Sequence, residues 1–211
     1  MTTAADDARI RVMQGFTAAV AERGYAATTI ADIVAAARVS KRTFYEHFPD
    51  KEACLLATYR ASADRLERML REAGRQTGDG WRERVHALVT AYLEALDAVG
   101  PASRTVLVEV QAAGPRAFRM RSETQDRFAA LFVELVESDP ALPPLTPALA
   151  IALVGGINEL LLHVADPYTR DGEPFTSLVD TVAEFASAVI GRGNSTLHPG
   201  NGGGSVPAKR S

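Results

Sequence analysis

An all-α fold of about nine helices is predicted by three features of this 211-residue sequence. Apolar residues recur three and four positions apart along almost the whole chain, the spacing that builds one buried helix face. Alternating apolar–polar runs joined by two-residue turns, the mark of paired strands, are missing. The periodic stretches are separated by glycine and proline, which stop helices.

The elements follow in order. Ile10, Met13, Phe16 and Val20 fall on one stripe, and Gly24 ends that helix. Short helices are expected at Ile30–Ala37 and Lys41–His47. Pro49 then breaks the chain before a long helix, Lys51–Ala73, and a polar link from Gly74 to Gly80. Trp81, Val85, Leu88, Tyr92 and Leu96 mark the next helix, closed by Gly100-Pro101. Another spans Ala102–Ala113, up to Gly114-Pro115, and Phe128, Leu131, Phe132 and Leu135 mark its successor. The proline-rich Asp139–Pro147 is a loop. Thr146 caps an apolar helix, Pro147–Ala165, with proline at a tolerated first position. Phe175–Ile190 is the last helix, and from residue 192 a tail rich in glycine, asparagine and serine is expected to be disordered. Residues 1–52 are expected to form one domain and 53–191 a second, larger helical one.

Composition excludes little. With 46% hydrophobic and 23% charged residues and a formal charge of −3, the chain has the balance of an ordinary globular protein. A DNA-binding function must therefore rest on a local surface rather than on total charge. In residues 1–50, Arg9, Arg11, Arg23, Arg38, Lys41 and Arg42 are balanced by Asp6, Asp7, Glu22, Asp32, Glu46 and Asp50, but three of the cations cluster at 38–42. The lone Cys54 lies in an apolar helical run and is expected to pack; one thiol fits a reducing, cytoplasmic setting. No signal peptide is visible, and the apolar run Pro147–Ile157 is too short to span a bilayer.

The stretch from Thr28 to Phe48 carries the functional signal. Thr29 followed by Asp32 is a capping-box start with aspartate in place of glutamate. Ile30, Ile33, Val34 and Ala37 form a buried face, and Ala35 and Ala36 are small enough for a crossing helix. Ser40 is a second cap, directly before Lys41-Arg42-Thr43. Two short helices joined by a turn of three or four residues form a helix-turn-helix. The start of its second helix meets base edges in the major groove of double-stranded DNA. There Arg42 suits guanine O6 and N7, Lys41 the same acceptors or a phosphate, and Thr43 a hydroxyl or methyl contact. Tyr45 and His47 suit phosphates, as does Lys51 at the start of the next helix. Phe44 and Phe48, one turn apart, are core anchors.

These residues closely resemble the DNA-binding domain of the tetracycline-repressor-like (TetR) regulators. The match runs from Gly24-Tyr25 through Thr28-Thr29-Ile30, Asp32-Ile33 and Ala37 to Val39-Ser40-Lys41, Thr43-Phe44-Tyr45, His47-Phe48 and Lys51-Glu52. The resemblance implies a dimeric, usually repressing regulator with a small-molecule effector bound in the C-terminal bundle. It implies Lys41, Arg42, Thr43 and Tyr45 facing DNA, with Thr29, His47 and Lys51 on phosphates. One departure stands out. The family usually has glycine where this chain has Arg38, and a left-handed arginine costs about 1 kcal/mol. Arg38 can offset that cost by reaching a phosphate.

A two-fold dimer would place its reading helices roughly 34–36 Å apart on a palindromic operator. By the same analogy, Pro147–Ala165 and Phe175–Ile190 form the dimer surface. Gly155-Gly156 inside the first costs about 1 kcal/mol per glycine and points to a close approach, by a partner or within the subunit. Polar residues in apolar helices are the effector-contact candidates: Tyr92, Glu109, Gln111, Asn158, Glu159 and His163. Glu159 and His163 stand one turn apart, but two ligands on one helix do not make a metal site. No metal or cofactor is expected. Nor is an enzyme, since nucleophile elbow, P-loop, dinucleotide fingerprint and zinc spacing are all missing. A helical adaptor is one alternative, and it would make the Lys41-Arg42-Thr43 surface dispensable; a DNA-binding activator or a ligand-independent repressor is another.

Overall fold

The computed structural model describes residues 4–74, 80–140, 142–165 and 173–191. The tail expected from residue 192 and most of the 74–80 link lie outside the described residues. Among the described residues the chain is all-α, with nine α-helices, one 3-10 turn and no strand. The helices are α1 (Ala4–Arg23), α2 (Ile30–Ala37), α3 (Lys41–His47), α4 (Lys51–Gly74), α5 (Trp81–Val99), α6 (Pro101–Ala112), α7 (Pro115–Glu137), α8 (Pro147–Ala165) and α9 (Val179–Gly191).

Capping residues set several boundaries. Thr29 and Asp32 form both halves of the capping box, and the Ser40 hydroxyl accepts from the Thr43 N–H at 3.0 Å. Thr146 caps α8 through the Leu149 N–H at 3.3 Å. Pro101 and Pro115 open α6 and α7 at positions where a missing N–H costs nothing. The last element differs from expectation. Phe175–Leu178 is a 3-10 turn, and only from Val179 does the chain become α-helical. The Asp97 carboxylate causes this by accepting from the N–H groups of Phe175 and Thr176, at 2.8 and 3.0 Å. Nothing in the local sequence of residues 175–190 announces an acceptor 78 residues upstream.

The first apolar core joins α1, α2, α3 and the start of α4 through Val12, Phe16, Val20, Ile33, Phe44, Phe48, Cys54 and Leu55. Phe44 is fully buried and Phe48 nearly so, as anchors should be. Two details differ from the sequence reading. Ile10 is exposed, because the stripe on α1 centres on Val12, Phe16 and Ala19. The close crossing of α1 and α2 uses Ala37, not the exposed Ala35 and Ala36. A Cβ on Gly15 would stand 2.6 Å from the Ala37 Cβ.

The larger core joins α5, α8 and α9, with Leu93, Leu153, Ile157, Leu161, Phe175 and Val182 at its centre. A neighbouring cluster packs α7 on α8 through Ala129, Val136, Ala150 and Val154. By length and composition all 19 residues of α8 could cross a membrane, a longer apolar helix than the run read from sequence. Here α8 packs against α7 and α9 instead, while Leu149 and Ile151 remain exposed. The two glycines of α8 have different surroundings. A Cβ on Gly156 would meet the Phe185 ring of α9 at 2.7 Å, whereas one on Gly155 would meet nothing within 4 Å.

Candidate nucleic-acid interface and effector site

Burying Phe44 and Phe48 decides which way α3 faces. With that side in the core, Lys41, Arg42, Tyr45 and Glu46 are exposed, and Thr43 and His47 are half-buried. The Arg42 Nε donates to Glu46 Oε1 at 3.0 Å across one turn, an exposed ion pair that solvent screens. Such a pair holds the guanidinium extended and yields readily to a better acceptor. Tyr45 stands edge-on to the Phe44 ring and is 55% exposed, large for an aromatic side chain. The Thr43 and Ser40 hydroxyls share a hydrogen bond of 2.9 Å, so the cap also orients Thr43. At the turn before α3, Arg38 is the one non-glycine residue with positive φ among the described residues, at φ 53° and ψ 46°. The left-handed position expected there is present. The Arg9 guanidinium lies 5.3 Å from the Phe48 ring centroid, tying α1 to the end of α3.

Two residues assigned to phosphates have other engagements. The Thr29 N–H and hydroxyl both donate to the Asp32 carboxylate, at 2.9 and 2.6 Å, which holds that carboxyl below its usual range. The Lys51 ammonium donates to the carbonyls of Tyr25 and Thr28, at 2.6 and 2.8 Å, and lies 4.3 Å from the Tyr25 ring centroid. Lys51 thus closes the α1–α2 loop onto α4. Sequence reasoning gave Tyr25 no role, yet Tyr25 also ties α1–α2 to α6. Its N–H donates to Glu109 Oε1 at 2.9 Å. Burial, and then the acids Glu52, Asp50 and Glu109, push the Tyr25 hydroxyl pKa upward. Arg116 at the start of α7 adds a second tie, 3.1 Å from Glu52.

The six effector candidates are not brought together. Glu109 faces Tyr25. Gln111 is exposed and donates to its own helix at Leu107. Glu159 and His163 lie on the exposed side of α8, and among the described residues no group of three metal-ligating side chains occurs. Tyr92 and Asn158 do turn into the bundle. Burial raises the Tyr92 hydroxyl pKa, and Asn158 Nδ2 is buried with no hydrogen-bond partner. Tyr59 and Arg121 were missed. Tyr59 of α4 packs on Leu56, Val110, Ala117 and Met120, and Arg121 of α7 lies beside it. The missed signal is an arginine on the spacing Ala117, Arg121, Thr124, Phe128, the inward face of α7.

A capped, core-anchored helix with an exposed basic start, set on a helical bundle with inward polar groups, defines a helix-turn-helix regulator. The comparisons agree. The family model described as "Bacterial regulatory proteins, tetR family" matches residues 17–58. The HTH-type transcriptional repressor KstR2 of Rhodococcus jostii (strain RHA1) is 30% identical over 179 residues, covering 84% of this chain and 86% of that protein. Among solved structures, the fatty acid degradation regulator FadR from Bacillus halodurans superposes with a TM-score of 0.70 at 19% identity, covering 87% of this chain and 95% of that one. FadR from Bacillus subtilis, solved in complex with stearoyl-CoA, gives 0.68 at 15% identity, covering 86% and 97%. The chain belongs to the TetR family of bacterial transcriptional regulators.

Proposed function

We propose that the protein is a dimeric repressor, released from a palindromic DNA operator when a small molecule binds inside its C-terminal bundle. The observation that carries this reading is the α3 surface. Lys41, Arg42 and Tyr45 are exposed together on a helix fixed by Ser40 at its start and by Phe44 beneath. In this reading residues 1–52 hold DNA, with Arg38 and His47 on phosphates beside the base-facing residues. Residues 53–191 sense and dimerise, and the protein works in the cytoplasm. The exposed Ile151, one turn from the open Gly155, supports α8 as part of the dimer surface. Tyr25, Lys51 and Glu109 form the joint through which a shift in the bundle reaches α3. An effector acts only by its differential affinity for the two arrangements.

Selection from a pool of random DNA duplexes tests the reading. Enrichment of one palindrome, bound as a dimer with affinity that falls as salt rises, is the expected result. Recovery of no preferred site by a folded, dimeric sample would leave the helical-adaptor reading in its place.

A further inference from the structure

The seam between α4 and α7 is laced with ion pairs at both ends. Arg116 meets Glu52, Arg127 meets Asp64 and Glu67, and Arg71 meets Glu67 and Glu134. Arg121 sits between these pairs along α7, and among the described residues no acid pairs with it. Its Nε is buried and has no hydrogen-bond partner among the described residues. An unsatisfied buried donor in a folded chain calls for a reason, and the rest of the half-buried side chain stays open to an incoming group. The surroundings point to one. Arg121 lies beside the Tyr59 hydroxyl, with Thr124 alongside, and Asn158 follows Val154 by one turn on the face of α8 that packs on α7. Met120 packs on the same apolar cluster as Tyr59, and Phe128 lies about two turns further along α7.

We propose that Arg121 receives the anionic group of the effector, a carboxylate or phosphate carried on an apolar body that occupies the bundle, with Tyr59 and Asn158 adding hydrogen bonds. Arginine suits this task because its planar fork pairs two donors with two oxygens of either group. The ligand thereby supplies the acceptors that the described residues do not offer Arg121. The proposal rests on the reading of the bundle as a sensor, and it deepens that reading by naming the ligand's chemistry.

The test uses the full chain without DNA and three probes of equal length: decanoate, decyl phosphate and decanol, titrated calorimetrically below their aggregation limits. The wild type is expected to bind one of the anions at least tenfold more tightly than decanol, and the tighter anion identifies the source. Arg121→Met should erase that preference while keeping decanol affinity, and Arg121→Lys should restore part of it. Equal binding of all three probes, binding of none, or an unchanged preference in Arg121→Met would each overturn the proposal. An operator recovered by DNA selection alongside such a failure would leave the repressor reading standing. Arg121-dependent anion binding without any operator would do the reverse.

Discussion

Glu109 on α6 accepts a hydrogen bond from the Tyr25 N–H at 2.9 Å, joining residues 84 positions apart and linking the bundle to the loop before α2. A hydrogen bond to a carboxylate contributes more than one between neutral groups, and losing it leaves a backbone donor without its partner. Glu109→Ala is expected to cost about 1–2 kcal/mol in urea unfolding. It should also uncouple the effector from DNA release, so that operator affinity survives but ligand no longer lowers it. Glu109→Gln, which keeps an acceptor oxygen, should retain most of both. Unaltered effector response in Glu109→Ala would move the joint elsewhere, with Arg116–Glu52 the next contact to test.

Lys41 and Arg42 make separable predictions. Arg42→Ala should relax discrimination at one base pair of each half-site by about 1–3 kcal/mol, the range of a bidentate base contact. Lys41→Ala should weaken all sequences more evenly and flatten the dependence of affinity on salt. Binding measured on single-base operator variants at several salt concentrations distinguishes the two.

Arg38 holds φ 53°, where a side chain is strained. Arg38→Gly is expected to stabilise the chain by about 1 kcal/mol in thermal or urea unfolding. If the arginine offsets its strain by holding a phosphate, the same variant binds DNA less tightly despite its greater stability. A variant with both properties unchanged would remove Arg38 from the interface.

The adjacent glycines of α8 should respond in opposite ways. Gly156→Ala drives a methyl into the Phe185 ring and is expected to cost about 1–3 kcal/mol. Gly155→Ala meets nothing within its own chain and should strengthen the helix by up to about 1 kcal/mol. If α8 lies in the dimer surface, Gly155→Ala weakens self-association, as sedimentation across a concentration series would show.

Burial pushes the Cys54 thiol pKa up from 9.0 to about 12, with Thr58 and Arg9 opposing weakly. The folded chain therefore keeps this proton at pH values where the unfolded chain has released it. The stabilisation is complete below pH 9 and is lost progressively between pH 9 and about 12. Subtracting the alkaline stability profile of Cys54→Ala from that of the wild type should isolate this decline. At neutral pH the thiol should react with a disulfide reagent only as fast as the chain opens.

Much of the DNA-facing half was legible because its determinants are local. Thr29 and Asp32, Ser40 and Thr43, and Phe44 and Phe48 act within one turn of each other, and helix periodicity and capping chemistry connect them. The strained Arg38 could be placed only through the resemblance, since the family usually has glycine at that position and glycine suits a left-handed backbone. Nine helices, and which face of α3 stays outside, follow from the same short-range rules.

What the tertiary structure alone decided involves partners far apart in sequence. The Lys51 ammonium turned to the carbonyls of Tyr25 and Thr28, Glu109 to the Tyr25 N–H, and Asp97 to the start of Phe175–Leu178. Composition marks such residues as polar but cannot say which acceptor or donor a distant helix will present. Arg121 is the sharpest case. Its helical position places it on the inward face, but only the packed bundle shows that its Nε meets no acceptor among the described residues. Capping energies depend on a few neighbouring torsions, whereas the partners left to a half-buried arginine depend on how α4, α7 and α8 come together.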